Sequence, residues 1–157
     1  MPSIAPDDLA GHTGLERIQG MADGRFPGAP IGRLMAMRVG GAGEGWVTFT
    51  GHPGPEHYNP IGSVHGGYAA TLLDSCMGCA IHTRLPAGTG YTTIDLNITY
   101  IRAMTTATGE VTARGEVLSA GRRVATARGT LTDSEGRLIA TGTTTCLVFP
   151  LSPPAPQ

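Results

Sequence analysis

The chain predicts an α+β domain in which a curved antiparallel sheet wraps around one long central helix. From Gly66 to about Arg84, the apolar residues Ala69, Leu72, Leu73, Cys76, Met77, Ala80 and Ile81 recur at helical spacing. Many of the positions between them are also small or apolar, so this helix is expected to be buried on most sides. Runs rich in Thr, Val and Ile follow at 91–103, 110–119, 122–132 and 137–149 and read as strands. The turns between them, at Thr108-Gly109, Ala120-Gly121 and Asp133 to Gly136, are too short for helical crossovers, which requires antiparallel pairing.

Taken from the N-terminus, residues 1–30 read as an extension. A helix from Asp7 or Asp8 through Leu9, Leu15, Ile18 and Met21 is followed by a Gly- and Pro-containing loop from Gly24 to Gly32. The main domain spans 31–149. It opens with a hairpin, Leu34 to Val39 and Trp46 to Phe49, around the glycine-rich turn Gly40 to Gly43. Pro53, Pro55 and Pro60 make Gly51 to Ser63 an irregular, exposed or ligand-lining loop before the helix. The segment 150–157, with four prolines in eight residues, is expected to be a disordered tail. A sheet curled around the helix buries both, and leaves a sheet edge that needs a partner.

Composition narrows the function. With 157 residues the chain is one domain, and 11 basic against 12 acidic residues give a net charge of -1, without the basic field that nucleic-acid binding needs. No stretch approaches the ~20 apolar residues of a membrane span, and the start Met-Pro-Ser-Ile-Ala lacks a secretory signal, so the cytoplasm is expected. Cys76, Cys79 and Cys146 are an odd count in apolar surroundings, which suits buried thiols in a reducing compartment. All the Lys and Arg positions are Arg, and the weakly charged, Gly-rich composition suits a surface covered by other copies of the chain.

Asp74 stands inside the apolar helix, where a carboxylate is either a hydrogen-bonded structural group or a base facing a polar cleft. Asn59, His65, Gly66 and Gly67 lie just before and at the start of the same helix. The backbone N–H groups of its first turn form either a capped, Pro/Gly-rich lead-in or a site for a developing oxyanion. Asp74 lies nine residues past His65, about 13 Å along the axis, so the two cannot meet within one chain. If both act on one centre, two copies of the helix must lie antiparallel in a two-fold dimer. His52, Glu56, His57 and His65 lack the spacing of a metal site, and Cys76-x-x-Cys79, away from the helix start, reads as packing.

The ordered motifs Asn59-Pro60-x-Gly62-x-x-His65-Gly66-Gly67, Ala-Thr-Leu-Leu-Asp74, Thr93-Ile-Asp95-Leu-Asn97-Ile-Thr-Tyr100, Gly121-Arg122 and Asp133-x-x-Gly136 to Gly142 resemble the hotdog-fold acyl-CoA thioesterases of the phenylacetate-degradation (PaaI-like) type. The resemblance covers about residues 45–149 and implies thioester hydrolysis without a cofactor, coenzyme A being part of the substrate. It also implies a side-by-side dimer, commonly within a homotetramer. On this resemblance Asp74 activates water or attacks directly, while Gly66 N–H and Asn59 polarise the carbonyl. His65 orients the carbonyl or the thiolate, and Thr93 positions the water. Thr93 is preferred to Thr92 by its alignment with Asp95 and Asn97. Coenzyme A would lie along Tyr100 to Thr105 and the turn Ser119 to Val124, with Tyr100, Arg102, Gly121, Arg122 and Arg123 as contacts; Arg suits bidentate phosphate binding. Adjacent Arg122 and Arg123 point to opposite faces if extended, so only one is expected to reach phosphate.

Two rival functions keep the same fold: a dehydratase or hydratase, faintly suggested by Gly51-His52-Pro53-Gly54-Pro55, and a non-catalytic module that binds acyl-CoA. Asp74 with Asn59 and Gly66 favours the thioesterase. Tyr58, Tyr68, Met77 and Trp46 are candidates for lining the acyl pocket, with aryl-acetyl, benzoyl-type and medium-chain groups all open.

Overall fold

A computed structural model describes residues 11–151. The elements are α1 (Gly14–Ala22), α2 (Ile31–Leu34), β1 (Met37–Gly43), β2 (Trp46–Gly51), α3 (Gly66–His82), β3 (Thr89–Tyr100), β4 (Val111–Ala120), β5 (Val124–Asp133) and β6 (Leu138–Pro150), with short 3-10 turns at Pro55–His57 and Thr106–Thr108. The six strands form one sheet in the order β1-β2-β4-β5-β6-β3, with every neighbouring pair antiparallel. The sheet curls around α3.

Helix α3 is the expected buried helix. Its start is set by His65, whose Nδ1 accepts from Gly67 N–H at 2.8 Å. At its other end Thr83 Oγ1–H donates to Ala80 O at 2.6 Å and accepts from Gly45 N–H at 2.8 Å, tying the β1-β2 turn to the helix. Leu72, Leu73, Met77 and Ile81 are fully buried, each contributing about 1.5–3 kcal/mol of apolar transfer free energy. The close approach of helix and sheet depends on a row of glycines, because Gly115, Gly129 and Gly142 are cross-strand neighbours on β4, β5 and β6. A Cβ on Gly115 would collide with the Cys76 carbonyl, and one on Gly129 would lie 3.0 Å from Met77 Cγ. Backbone packs almost directly on backbone there.

Several boundaries differ from expectation. The first described helix begins at Gly14, capped reciprocally by Thr13 and Glu16; Thr13 N–H donates to Glu16 Oε2 at 2.7 Å, and Glu16 N–H to Thr13 Oγ1 at 3.3 Å. Gly11 to Thr13 are therefore not helical, and the earlier part of that expected helix lies outside the described residues. Leu34 falls in α2 rather than in a strand. The glycine run Gly40 to Gly43 is part of β1, bulged between Val39 and Gly41, while the turn is Glu44-Gly45 with Gly45 at φ +81°. The run serves packing, because a Cβ on Gly43 would strike the Trp46 indole. Strand β3 stops at Tyr100, short of Ala103. Strand β6 reaches Pro150, and Leu151 N–H donates to Gly88 O at 2.8 Å; the rest of the expected tail lies outside the described residues.

Candidate active site

Between α3 and the outer elements α1, α2 and β1 lies a cavity of about 730 Å³. Asp74, Ser75, Cys79 and His82 of α3 form one wall, and Tyr91 and Thr93 of β3 border it. Ile18, Met21, residues 27–33, Met37, Arg38, Val39 and Phe49 close the other side. Asp74 is half-buried in this wall rather than enclosed among its apolar helix neighbours, and Thr93 Oγ1–H donates to its Oδ1 at 2.9 Å.

A β-bulge accounts for that aim. On β3, Thr93 pairs with Cys146 and Asp95 with Thr145, leaving Ile94 as the extra residue. Bulges re-aim side chains, and this one has Thr93 facing α3 while Ile94, 60% exposed, turns to solvent. Buried Thr144 holds the shoulder of the bulge, its Oγ1–H donating to Asp95 O at 2.9 Å.

Three titratable groups on the inner wall are held neutral by burial, whereas Arg33 and Arg38 border the cavity from its exposed side. Burial, with the charge of Arg17 adding to it, pushes His82 down to about 4. Burial also holds the Tyr91 phenol well above its ordinary value and pushes the Cys79 thiol up to about 11. Tyr91 lies against Cys79, with Oη 3.9 Å from Sγ, and against the His82 ring, with centroids 5.2 Å apart. Gly78 makes room for it, since a Cβ there would lie 2.9 Å from the Tyr91 ring.

The other end of α3 is open. Gly67 N–H is taken by His65 Nδ1, which leaves Nε2 of this exposed ring as its donor. Gly66 N–H makes no hydrogen bond within the described residues, while Gly66 O accepts from Tyr100 Oη–H at 2.9 Å. Asn59 braces its own loop: Oδ1 accepts from Ile61 and Ser63 N–H, each at 3.1 Å, and Nδ2 donates to Ser63 Oγ at 3.0 Å, leaving one amide hydrogen over. Gly66, Tyr100 and Arg102 line a small cleft of about 240 Å³ with Met104 and Ile139.

The structure thus sorts the expected residues into three places. Asp74 and Thr93 meet; Gly66, Tyr100 and Arg102 share the small cleft, with His65 beside Gly66; Gly121, Arg122 and Arg123 form the β4-β5 turn. Asp74 is about 12 Å along α3 from Gly66. Tyr100 pairs with Ala140 and Val124 with Leu147, which separates the two arginine sets by about 23 Å along β6. Arg122 and Arg123 precede the strand rather than starting it, so alternation between faces does not apply, and both are exposed.

The expected pocket-lining residues are corrected. Tyr68 and Met77 are core, Trp46 packs under the Arg114 guanidinium at 4.8 Å, and Tyr58 Oη bonds Thr106. None of the four borders the large cavity. The residues that do were missed because they come from α1, β1 and the start of β3, which only the folded chain brings together. His57 is likewise committed, accepting from Gly54 N–H through Nδ1 and lying 3.0 Å from Leu34 O through Nε2.

The fold agrees with that of known proteins. A sequence profile of the thioesterase superfamily matches residues 61–140. The mouse acyl-coenzyme A thioesterase 13 is 34% identical over 88 residues, 55% of this chain and 61% of that protein. A Halobacterium salinarum protein described as an esterase is 41% identical over 68 residues, 42% of this chain and 43% of that one. The chain thus matches roughly half the length of these relatives. Among solved structures, the Haemophilus influenzae thioesterase HI1161 shares the fold at TM-score 0.75, with 21% identity over 90% of this chain and 94% of that one. A mutant of the phenylacetic acid degradation protein PaaI from Thermus thermophilus superposes at TM-score 0.68, with 27% identity over 76% and 98% of the two chains. The chain belongs to the thioesterase superfamily and has its hotdog fold. No helix among the described residues is long and apolar enough to cross a membrane.

Proposed function

We propose that the protein hydrolyses the thioester of an acyl-coenzyme A to the free acid and coenzyme A, with no cofactor beyond the coenzyme A of the substrate. The observation that carries this reading is Asp74, facing a large cavity with Thr93 Oγ1 at 2.9 Å. A water held between the two would be polarised by the carboxylate. In one route its oxygen attacks the carbonyl carbon while its proton passes to Asp74; in the other an Asp74 oxygen attacks, the C–S bond breaks to give an acyl–Asp74 anhydride and a thiolate, and the water then hydrolyses the anhydride, giving up a proton. The oxyanion that develops needs donors opposite Asp74. Gly66 N–H and the spare amide hydrogen of Asn59 suit that role, and His65 Nε2–H suits the carbonyl or the departing sulfur. In the first route the C–S bond then breaks, and in either the thiolate takes up the proton to leave as free coenzyme A.

These donors lie too far from Asp74 in one chain, so the active unit is a homodimer in which Gly66, Asn59 and His65 of the partner subunit face Asp74. Strand β3 supports this arrangement: it is a sheet edge of 12 residues that exposes Ile94, Leu96 and Tyr100. Paired antiparallel with its copy, it would bring the Tyr100 end of one subunit beside the Thr93 end of the other. Arg102 of one subunit and Arg122 and Arg123 of the other could then share the phosphates, with Gly121 and Tyr100 along the pantetheine arm. A homotetramer of such dimers is the assembly the family resemblance implies.

The test is release of coenzyme A, followed with a thiol reagent, from a panel of aryl- and fatty acyl-CoAs. Wild type should hydrolyse at least one, and Asp74→Asn should lower the rate about 10²-fold or more. Acyl-CoA binding without release across the panel would make the protein a binding module instead.

A further inference from the structure

We infer that the cavity beside Asp74 is the acyl chamber and that its outer wall, Ile18 and Met21 of α1 with the 27–33 segment, selects an acyl group of ring or medium-chain size. This inference rests on the proposed thioesterase function and adds the residues that choose the substrate.

The chamber begins at the reacting end. Asp74 and Thr93 form one end of its inner wall, and His82, two helical turns further on, lies about 12 Å along the axis. A volume of about 730 Å³ falls within the range of about 300–1,000 Å³ usual for small-molecule sites. An acetyl group would leave most of it unfilled. Met37, Val39 and Phe49 supply an apolar lining. His82 and Tyr91 at the far end are held neutral by burial, while Arg33 and Arg38 are solvent-exposed.

The outer wall comes from chain outside the family match at 61–140, yet it is firmly docked. Gly14 N–H donates to Leu85 O at 3.0 Å, and a Cβ on Gly14 would collide with the His82 carbonyl. Ile18 is 1% exposed, which anchors α1 on the core. Phe26 N–H donates to Gly20 O at 2.8 Å, and a Cβ on Gly20 would strike the Phe26 ring. That contact folds the chain back so that 27–33 borders the cavity. Half-buried Met21 is the adjustable part, a flexible side chain packed against the core while bordering the chamber.

The experiment uses the full chain, wild type, Met21→Ala and Met21→Trp, against acetyl-, octanoyl-, dodecanoyl- and phenylacetyl-CoA. Hydrolysis and equilibrium binding are measured in parallel, with thermal melting as a control for folding. Wild type should favour octanoyl or phenylacetyl over acetyl by about tenfold or more in kcat/KM, the scale of a few well-packed methylenes. Met21→Trp should lower the favoured substrate about tenfold and leave acetyl within about threefold, whereas Met21→Ala should raise dodecanoyl relative to octanoyl. A folded Met21→Ala with the wild-type ranking in both assays overturns the inference while leaving the thioesterase reading intact. Absence of hydrolysis with a Met21-dependent binding rank would instead sink the thioesterase reading and keep the chamber. Absence of both would remove both.

Discussion

The two ends of α3 are built in opposite ways. Around Asp74 the chain encloses its own helix with α1, β1 and β3, and the carboxylate already has a hydroxyl partner. Around Gly66 the first turn is left open, with an unused N–H, an exposed imidazole and a shallow cleft. In the proposed mechanism one end supplies a chamber and a base, and the other supplies donors and a mouth. The difference is what a catalytic unit of two subunits, as proposed, would explain.

Mixing subunits tests that lesson most sharply. Asp74→Asn and Asn59→Asp, the latter keeping the loop-bracing oxygen but losing the amide donor, should each fall to about 1% of wild type or less. Unfolded together and refolded, they should recover roughly one quarter of wild-type activity, since half of randomly paired dimers would carry one intact site of two. Activity that stays at the level of the separate variants would place the site within one subunit. Thr93→Ala should cost about tenfold in kcat with little change in KM, and Thr93→Ser should restore most of it, as expected for one hydrogen bond to a charged group. Thr144→Val, which removes the donor bracing the bulge, should cost only about two- to fivefold in kcat, and Thr144→Ser should recover it. A large loss at the exposed neighbour Thr143 would contradict this account.

The mildest difference appears in the melting temperature. His82 is held neutral when folded, its pKa falling from 6.5 to about 4, so below pH 6.5 the unfolded chain takes up a proton that the folded chain refuses. Stability should therefore fall as the pH drops from 6.5 toward 4, with no further contribution below. His82→Gln should flatten that part of the profile. A variant with an unchanged slope would assign the loss to other groups.

The sequence announces one of the two ends better than the other. Helix α3 and strands β3 to β6 follow from periodicity and short turns, and Asp74 stands out because a charge interrupts an apolar helix. The Asn59 to Gly67 stretch stands out through its glycines. The chamber was hidden because its outer wall comes from residues some fifty positions upstream, docked through contacts such as Gly14 on His82 that leave no periodic trace. The bulge at Ile94 was hidden for a related reason, since one extra residue in a Thr-rich strand changes neither composition nor hydropathy. The true start of α1 was within reach, because Thr13-x-x-Glu16 is a capping box, but the acidic pair at Asp7 and Asp8 offered an equally plausible cap.

The glycine row under α3 bears on how such a protein can diversify. A Cβ on Gly115 would collide with the helix backbone at Cys76, and one on Gly129 or Gly142 would crowd the Met77 side chain. The proposed base, Asp74, is carried on this same tightly seated helix. The methionines across the chamber are different, because their replacement alters shape without touching the bearing surface beneath the helix. New acyl preferences can accumulate there by single substitutions while the distance from Asp74 to the sheet stays constant. On the proposed mechanism, a change of shape on the outer wall would alter which acyl group fits and leave the seat of the helix untouched.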